Sequence, residues 1–197
     1  MRADLRLIEP WVKESSRVLD LGCGDGTLLA HLQQEKKVLG YGLEIASEQI
    51  TRCIEKGVNV IEHDLDKRGL SQFADQQFDT VIMTQALQAV RRPDVMLDEM
   101  MRLGNQGIVT FPNFGYWRCR HYLLWNGKMP MSKTLPHTWY NTPNIHLCTF
   151  KDFEALCVQK GIKILNREVV DAEFEQSSFA RMWPNLFAEF AVYRISK

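Results

Sequence analysis

Apolar residues along the chain fall into two kinds of run that alternate. Short blocks rich in Val, Ile and Leu occur at Val18, Leu19 and Leu21, at Val38 to Leu43, at Val58 to Ile61, at Phe78 to Met83 and at Ile108 to Phe111. Blocks of that length, bounded by Gly, Asp or Asn, predict buried parallel strands. The segments between them carry helical spacing. Leu28, Leu29 and Leu32 predict a helix from Thr27 to about Gln34. Ile50 and Ile54 predict the core face of a second helix that starts at Ser47 and stops at Gly57. Pro93 opens a third, with Val95, Met96, Leu97, Met100 and Met101 on its buried face and Gly104 and Gly107 at its exit. Near the N-terminus, Leu5, Ile8 and Val12 share one helical face, which predicts a short helix over a sheet edge, with a partner-binding arm as the alternative.

The alternation lapses after Pro112-Asn113 and returns at Thr149 or Lys151. There Phe150, Phe153, Leu156 and Cys157 predict a helix stopped by Gly161. Ile162 to Val170 reads as a sixth strand, Asp171, Glu173 and Glu175 as an acidic turn, and Phe187 to Ile195 as the last strand. Strands alternating with helices predict an α/β fold: a Rossmann-like, doubly wound sheet of seven strands. The 197 residues suffice for one domain, with residues 113–149 inserted in it as a cap after strand five.

The first strand runs directly into Asp20-Leu21-Gly22-Cys23-Gly24-Asp25-Gly26-Thr27. Gly22 permits a turn closed to other residues, Gly24 lets a ligand approach bare backbone, and Gly26 lets the following helix pack close to the strand. That helix then aims its free N–H groups at whatever rests on the turn. The dinucleotide fingerprint needs Gly-x-Gly-x-x-Gly, whereas here the third glycine comes one residue early and Asp20 occupies the strand end. Asp20 and Asp25 would repel a pyrophosphate and attract an ammonium group. Glu44, twenty residues after Gly24, is placed to accept hydrogen bonds from ribose hydroxyls. This arrangement resembles motif I and the acidic ribose loop of class I S-adenosylmethionine-dependent methyltransferases, in which the last strand is antiparallel. The resemblance implies S-adenosylmethionine, or S-adenosylhomocysteine, as the bound cofactor.

On that resemblance Asp20, Gly22, Cys23, Gly24 and Gly26 hold the cofactor's amino-acid end, and Glu44 and Ile45 its ribose. Asp64 and Leu65, with Asp66 as competitor, would meet the adenine amine and ring face; a turn aspartate is the plain alternative for Asp64. The end of the fourth strand, Thr84-Gln85-Ala86-Leu87-Gln88-Ala89-Val90, would lie beside the glycine turn, and carbonyls there, those of Thr84 and Gln85 among them, would hold the ammonium group. The tetrapeptide Asn/Asp-Pro-Pro-Tyr/Phe of many nucleic-acid and glutamine methyltransferases is absent, which argues against base methylation. No convincing general base is present: the position after strand four that is often histidine in related small-molecule enzymes is Gln88. His146 and Tyr140 are the remaining catalytic candidates, and His31 reads as a solvated helix residue.

Composition narrows the partners. Lys plus Arg and Asp plus Glu each number 24, so no global field gathers nucleic acid or anionic membrane. No apolar run nears the roughly 20 residues that span a bilayer, and the N-terminus does not resemble a signal peptide. Five cysteines, none in Cys-x-x-Cys, predict free thiols in a reducing cytoplasm. His137, His146 and Cys148 lack metal-ligand spacing, and no metal site is expected.

The inserted segment is unusual in its own right. From Asn113 to Thr149 it holds no Asp or Glu, but Arg118, Arg120, Lys128 and Lys133 with Trp117, Trp125 and Trp139. Tyr116 to Trp125 predicts a helix and the remainder a packed cap that closes over the cofactor. A protein interface is the leading reading, with Trp117, Arg118, Trp139, Tyr140 and His146 as contacts; an acidic small substrate comes next and single-stranded nucleic acid last.

Asn113-Phe114-Gly115-Tyr116-Trp117-Arg118, Met129-Pro130, Leu135-Pro136, Trp139-Tyr140 and Thr142-Pro143-Asn144-Ile145-His146-Leu147-Cys148-Thr149 are similar to the methionine-biosynthesis MetW family. The likeness extends over nearly the whole chain. It implies a methyltransferase-like protein working with homoserine O-acyltransferase; a homodimer is a further arrangement compatible with the chain. Two functions follow as expectations: a cofactor-binding regulatory subunit of that acyltransferase, or an active methyltransferase on a small acidic or amino-acid-like substrate.

Overall fold

In the computed structural model, residues 3–67, 69–132, 135–170, 180 and 182–197 are described. The acidic turn expected at Asp171, Glu173 and Glu175 lies outside them, as does the Lys133 side chain. Among the described residues the strands are β1 (Arg17–Leu21), β2 (Leu39–Glu44), β3 (Asn59–Glu62), β4 (Phe78–Thr84), β5 (Gly104–Pro112), β6 (Lys163–Val170) and β7 (Phe190–Ser196). They form one sheet in the order β3-β2-β1-β4-β5-β7-β6. β1, β2, β3, β4 and β5 pair in parallel, and β7 pairs antiparallel with both β5 and β6. Strand order reverses between β1 and β4, so a crevice opens beyond their carboxyl ends, where open α/β sheets bind ligands.

Helices among the described residues include α1 (Ala3–Ile8), α2 (Thr27–Lys36), α3 (Ser47–Glu55), α4 (Pro93–Leu103), α5 (Trp117–Asn126), α6 (Phe150–Gln159) and α7 (Pro184–Phe187). Two apolar clusters sandwich the sheet. One joins Leu28, Leu29 and Leu32 of α2 to Cys53 of α3 and to Ile82, Ile108 and Val192 of the strands. The other gathers Met96, Leu97, Met100 and Met101 of α4 with Phe150, Phe153 and Cys157 of α6 over Val81, Val109, Phe111 and Tyr193. Branched residues on central strands face both clusters, which is why their sequence reads as continuous apolar blocks.

Several expectations are corrected. Ile8 and Val12 bury against Ile82, Ile108 and Val192, so the N-terminal segment covers a sheet face, not an edge. Ile54 is 65% exposed and the buried residue of α3 is Cys53, one position earlier, while Val95 of α4 is 43% exposed. Gly104 and Gly107 belong to β5, where the Val81 and Met101 side chains press against them. Phe187 ends α7 and does not open β7. His31 is not a free surface histidine; its Nε2 lies 2.8 Å from Glu9 Oε2. No helix of the described residues is long and apolar enough to cross a membrane.

Candidate functional site

The glycine turn is built as a tightly tied corner. Gly22, Gly24 and Gly26 have φ of +74°, +55° and +73°, the left-handed region that a side chain strains to adopt. A Cβ on Gly22 would meet Ala86 Cβ at 3.0 Å, and one on Gly26 would meet Cys53 Sγ at 2.8 Å, whereas one on Gly24 would meet nothing within 4 Å. Gly24 therefore opens toward free space, and Gly26 is required by packing. The N–H groups of Gly22 and Cys23 both donate to Leu43 O, at 2.9 and 3.1 Å, which fastens the turn to β2.

Glu44 ends β2 and reaches across to that turn. Its Oε2 accepts from Gly24 N–H at 2.9 Å, and its Oε1 accepts from Ile45 and Ala46 N–H at 2.8 and 3.0 Å. A carboxylate offers about four acceptor sites. Three are occupied by backbone, so accepting from both ribose hydroxyls requires Glu44 to release one of these contacts. Asp20 is fully buried at the end of β1. Asp25 is engaged within the protein: its Oδ1 accepts from Thr27 N–H at the start of α2 (3.1 Å) and its Oδ2 pairs with Lys56 Nζ (2.6 Å). Burial pulls its carboxyl up, but hydrogen bonds from Lys56 and Thr27 outweigh that and hold it down at about 2. The attraction assigned to Asp25 is thus spent on Lys56.

Cys23 also turns inward. Its Sγ lies 3.9 Å from Cys53 Sγ, and a Cβ on Gly42 would come within 2.4 Å of it. Burial first, then the nearby Asp20 charge, push the Cys23 thiol far above its ordinary range, and it stays protonated. Cys53 Sγ donates to Gly24 O at 3.1 Å, so the two thiols form a floor beneath the turn.

A cavity of about 330 Å³ opens beside this corner. Of the expected residues it brings together Gly22, Glu44, Ile45, Asp64 and Leu65; Asp20, Cys23, Gly24, Gly26, Thr84 and Gln85 are not in its wall. Its volume lies in the range of small-molecule sites. Asp66 lines the cavity as well, with its Oδ1 accepting from Arg91 N–H at 2.8 Å, while Asp64 Oδ1 accepts from Asp66 N–H at 3.0 Å. Asp64 Oδ2 lies 3.0 Å from Lys67 Nζ, and the Lys67 hydrogen bond holds the Asp64 carboxyl below its usual value. Ala86, Ala89 and Val90, from the stretch expected beside the glycine turn, also line the cavity, together with Arg91, which sequence reasoning passed over. Their one sequence signal is position: they follow the strand that neighbours β1. Gln85, at φ +52°, makes the bend, held by Thr110 O at 2.9 Å and Thr110 Oγ1 at 3.1 Å.

The other side of that wall faces a second cavity of about 170 Å³, lined by Leu87, Gln88, Phe111, His146, Phe153 and Leu156 among others. Gln88 is 4% exposed, and its Oε1 has no hydrogen-bond partner among the described residues. His146 N–H donates to Gln88 O at 3.0 Å, and its Nε2 lies 3.3 Å from Arg91 O. The 113–149 segment therefore braces the wall from behind. Among the described residues none of the segment lines the cavity of about 330 Å³, so these residues do not form the cap expected over it.

The segment begins and ends at one point, with Phe114 N–H donating to Cys148 O at 2.9 Å. Asn113 is buried at its root and donates to Ala188 O at 2.7 Å. Beyond the root Trp117 is 40% exposed, Trp139 73% and Tyr140 74%, and Arg118 lies 5.4 Å over the Trp117 ring. Tyr140 stands with Trp139 on the outer surface, apart from His146 and the Gln88 cavity.

A family model described as "Methionine biosynthesis protein MetW" matches residues 2–195. The chain belongs to the MetW family. A "Bifunctional methionine biosynthesis protein MetXA/MetW" of Rhodopirellula baltica is 35% identical over 190 residues, covering 92% of this chain but 30% of that protein. The MetW-family chain thus spans about a third of the length of this relative. Among solved structures, an S-adenosylmethionine-dependent methyltransferase of Mesorhizobium loti superposes with a TM-score of 0.69 at 17% identity, over 98% of this chain and 96% of that one. Another, from Archaeoglobus fulgidus, gives 0.69 at 18% identity, over 99% and 92%. At such identities the likeness establishes the methyltransferase-type Rossmann fold of this MetW-family chain and nothing finer.

Proposed function

We propose that this chain is a methyltransferase-like accessory subunit of homoserine O-acyltransferase in methionine biosynthesis, carrying a site for S-adenosylmethionine or S-adenosylhomocysteine. The observation that carries the partnership is the relative in which a MetXA-type protein and a MetW-type protein are one polypeptide. Fusion keeps two partners at high effective concentration, which selection retains where they act together. The chain is read as one domain with residues 113–149 as its insertion, acting in the cytoplasm.

The nucleoside is assigned to the cavity beside the glycine turn. Glu44 would accept from the ribose, Asp64 from the adenine amine, and Ile45 and Leu65 would cover the ring. The bare backbone of Gly22 and Gly24 and the Asp20 carboxylate would receive the amino-acid end, with Thr84 and Gln85 completing it. S-adenosylmethionine supplies an electrophilic methyl group on a sulfonium. Support for the fit comes from the open space at Gly24 and from the three carboxylate residues in the cavity wall, Glu44, Asp64 and Asp66.

Calorimetry with each nucleoside tests the site, and acyltransferase assays with and without the chain test the role. Micromolar binding and a changed acyltransferase rate are expected. An acyltransferase indifferent to equimolar chain removes the accessory role. The second reading, an active methyltransferase on a small acidic or amino-acid-like substrate, draws on the Gln88 cavity, whose buried amide oxygen can receive a donor from a small molecule. Incubation with methyl-labelled cofactor and cell metabolites, yielding no labelled product, rejects it.

A further inference from the structure

Helix α5 is a physical anomaly. Only Cys119 is buried along its ten residues, while Trp117, Tyr122, Leu123, Leu124 and Trp125 are 40%, 39%, 42%, 78% and 72% exposed. A helix this short is marginal in water by itself and depends on burying an apolar face. Here the supports gather at the N-terminal end: Arg120 donates to Gly115 O and to Asn185 O, and Gly115 is wedged against Asn113 Oδ1. The distal turns carry large apolar side chains that touch solvent. Trp117, His121 and Trp125 follow one another along one side, edge-to-face at 6.4 Å and tilted at 5.7 Å between ring centroids, an aromatic row of the kind that anchors interfaces.

Charge selects the occupant. The segment from Asn113 to Thr149 holds four cations and no carboxylate. Two copies pressing this segment together would set cation against cation with no acid within the segment to answer it, which disfavours a homodimer here. The complementary surface is an apolar recess rimmed by Asp and Glu. We infer that α5 is the docking element for homoserine O-acyltransferase, with Leu124 and Trp125 filling an apolar recess on that enzyme and Arg118 and Lys128 meeting acidic residues at its rim. This rests on the partnership proposed above and adds where it is made. The surface lies outside the nucleoside cavity, and His146 links the segment that carries α5 to the wall of that cavity.

The test measures binding of the purified full-length chain to purified homoserine O-acyltransferase from the same organism by interferometry. Leu124→Ser and Trp125→Ser are each expected to weaken binding by about tenfold or more, as anchor residues do. Arg118→Glu is expected to slow association, with a loss that shrinks as salt rises. Ile54→Ser and Val158→Ser, 65% and 81% exposed outside the inserted segment, serve as controls and should bind within about twofold of wild type. Circular dichroism melts on every variant confirm folding. If wild type binds and the α5 variants bind equally well, the docking assignment is overturned while the partnership stands. Failure of wild type to bind overturns both. Sedimentation showing a dimer of the chain that Leu124→Ser dissolves gives α5 to a second copy and also overturns the assignment.

Discussion

The glycine corner and helix α5 solve opposite problems with similar numbers of residues. At the corner five main-chain donors have acceptors within the protein: Gly22 and Cys23 on Leu43 O, Gly24 on Glu44, Gly26 on Cys23 O and Thr27 on Asp25. Glycines there are set by contact with Cys53 and Ala86. On α5 the apolar groups beyond the Arg120 tether are exposed to water. A small-ligand site gains from preorganisation, because rigid dipoles need no reordering on binding. A protein-binding surface instead leaves its apolar area uncovered until the partner arrives, at some risk of aggregation.

That contrast can be broken most severely at Gly26. Gly26→Ala adds left-handed strain of about 1–2 kcal/mol and overpacking of about 1–3 kcal/mol against Cys53. Equilibrium urea denaturation should show a loss of about 2–5 kcal/mol. A loss under about 1 kcal/mol means that the corner is looser than its contacts imply. Next comes Glu44→Gln, which removes charge-assisted bonds worth about 1.5–3 kcal/mol each. Calorimetry with S-adenosylhomocysteine should show affinity lower by about tenfold to a hundredfold with the fold intact. Unchanged affinity removes Glu44 from the nucleoside site.

The same comparison predicts near silence on the other side. Leu124→Ser and Trp125→Ser should each leave the stability of the isolated chain within about 0.5 kcal/mol, because neither side chain is covered. A loss above about 2 kcal/mol would show that α5 packs against its own domain. Smallest is the acid limb of stability. Asp25 titrates lower folded than its ordinary 3.8, so its contribution is full above that value and is lost as pH falls through about 2. Its side chain is 37% exposed, and solvent screening keeps the effect slight. Asp25→Asn should flatten the decline of melting temperature between pH 4 and about 2, most clearly at low salt.

Much of this molecule was readable from spacing. Three glycines within five residues, an acid twenty positions on, and Val-rich blocks separated by helical periods specify a βα corner and a parallel sheet, because those features act over one or two turns of chain. Other features were out of reach. Ile54 and Val95 fit their helical stripes but stand exposed, since the packing surface ends beside them. Asp25 looked like part of an acidic ligand field, yet Lys56, thirty-one residues away, claims it. Arg91, which joins Ala86, Ala89 and Val90 in the cavity wall, has no motif; it is there because β4 lies beside β1. The expected cap stands behind that wall, since Asn113 and Cys148 fix the root of the segment beside β5 and α6.

Local backbone chemistry, written in glycine and carboxylate spacing, was the sequence's to determine, along with the family that this spacing and the aromatic insertion signal. Which carboxylates meet a ligand, which face a lysine, and which aromatic residues stay wet were settled by tertiary structure alone. Those outcomes turn on contacts between residues tens of positions apart, whose free energies depend on three-dimensional neighbours that no short stretch of chain encodes.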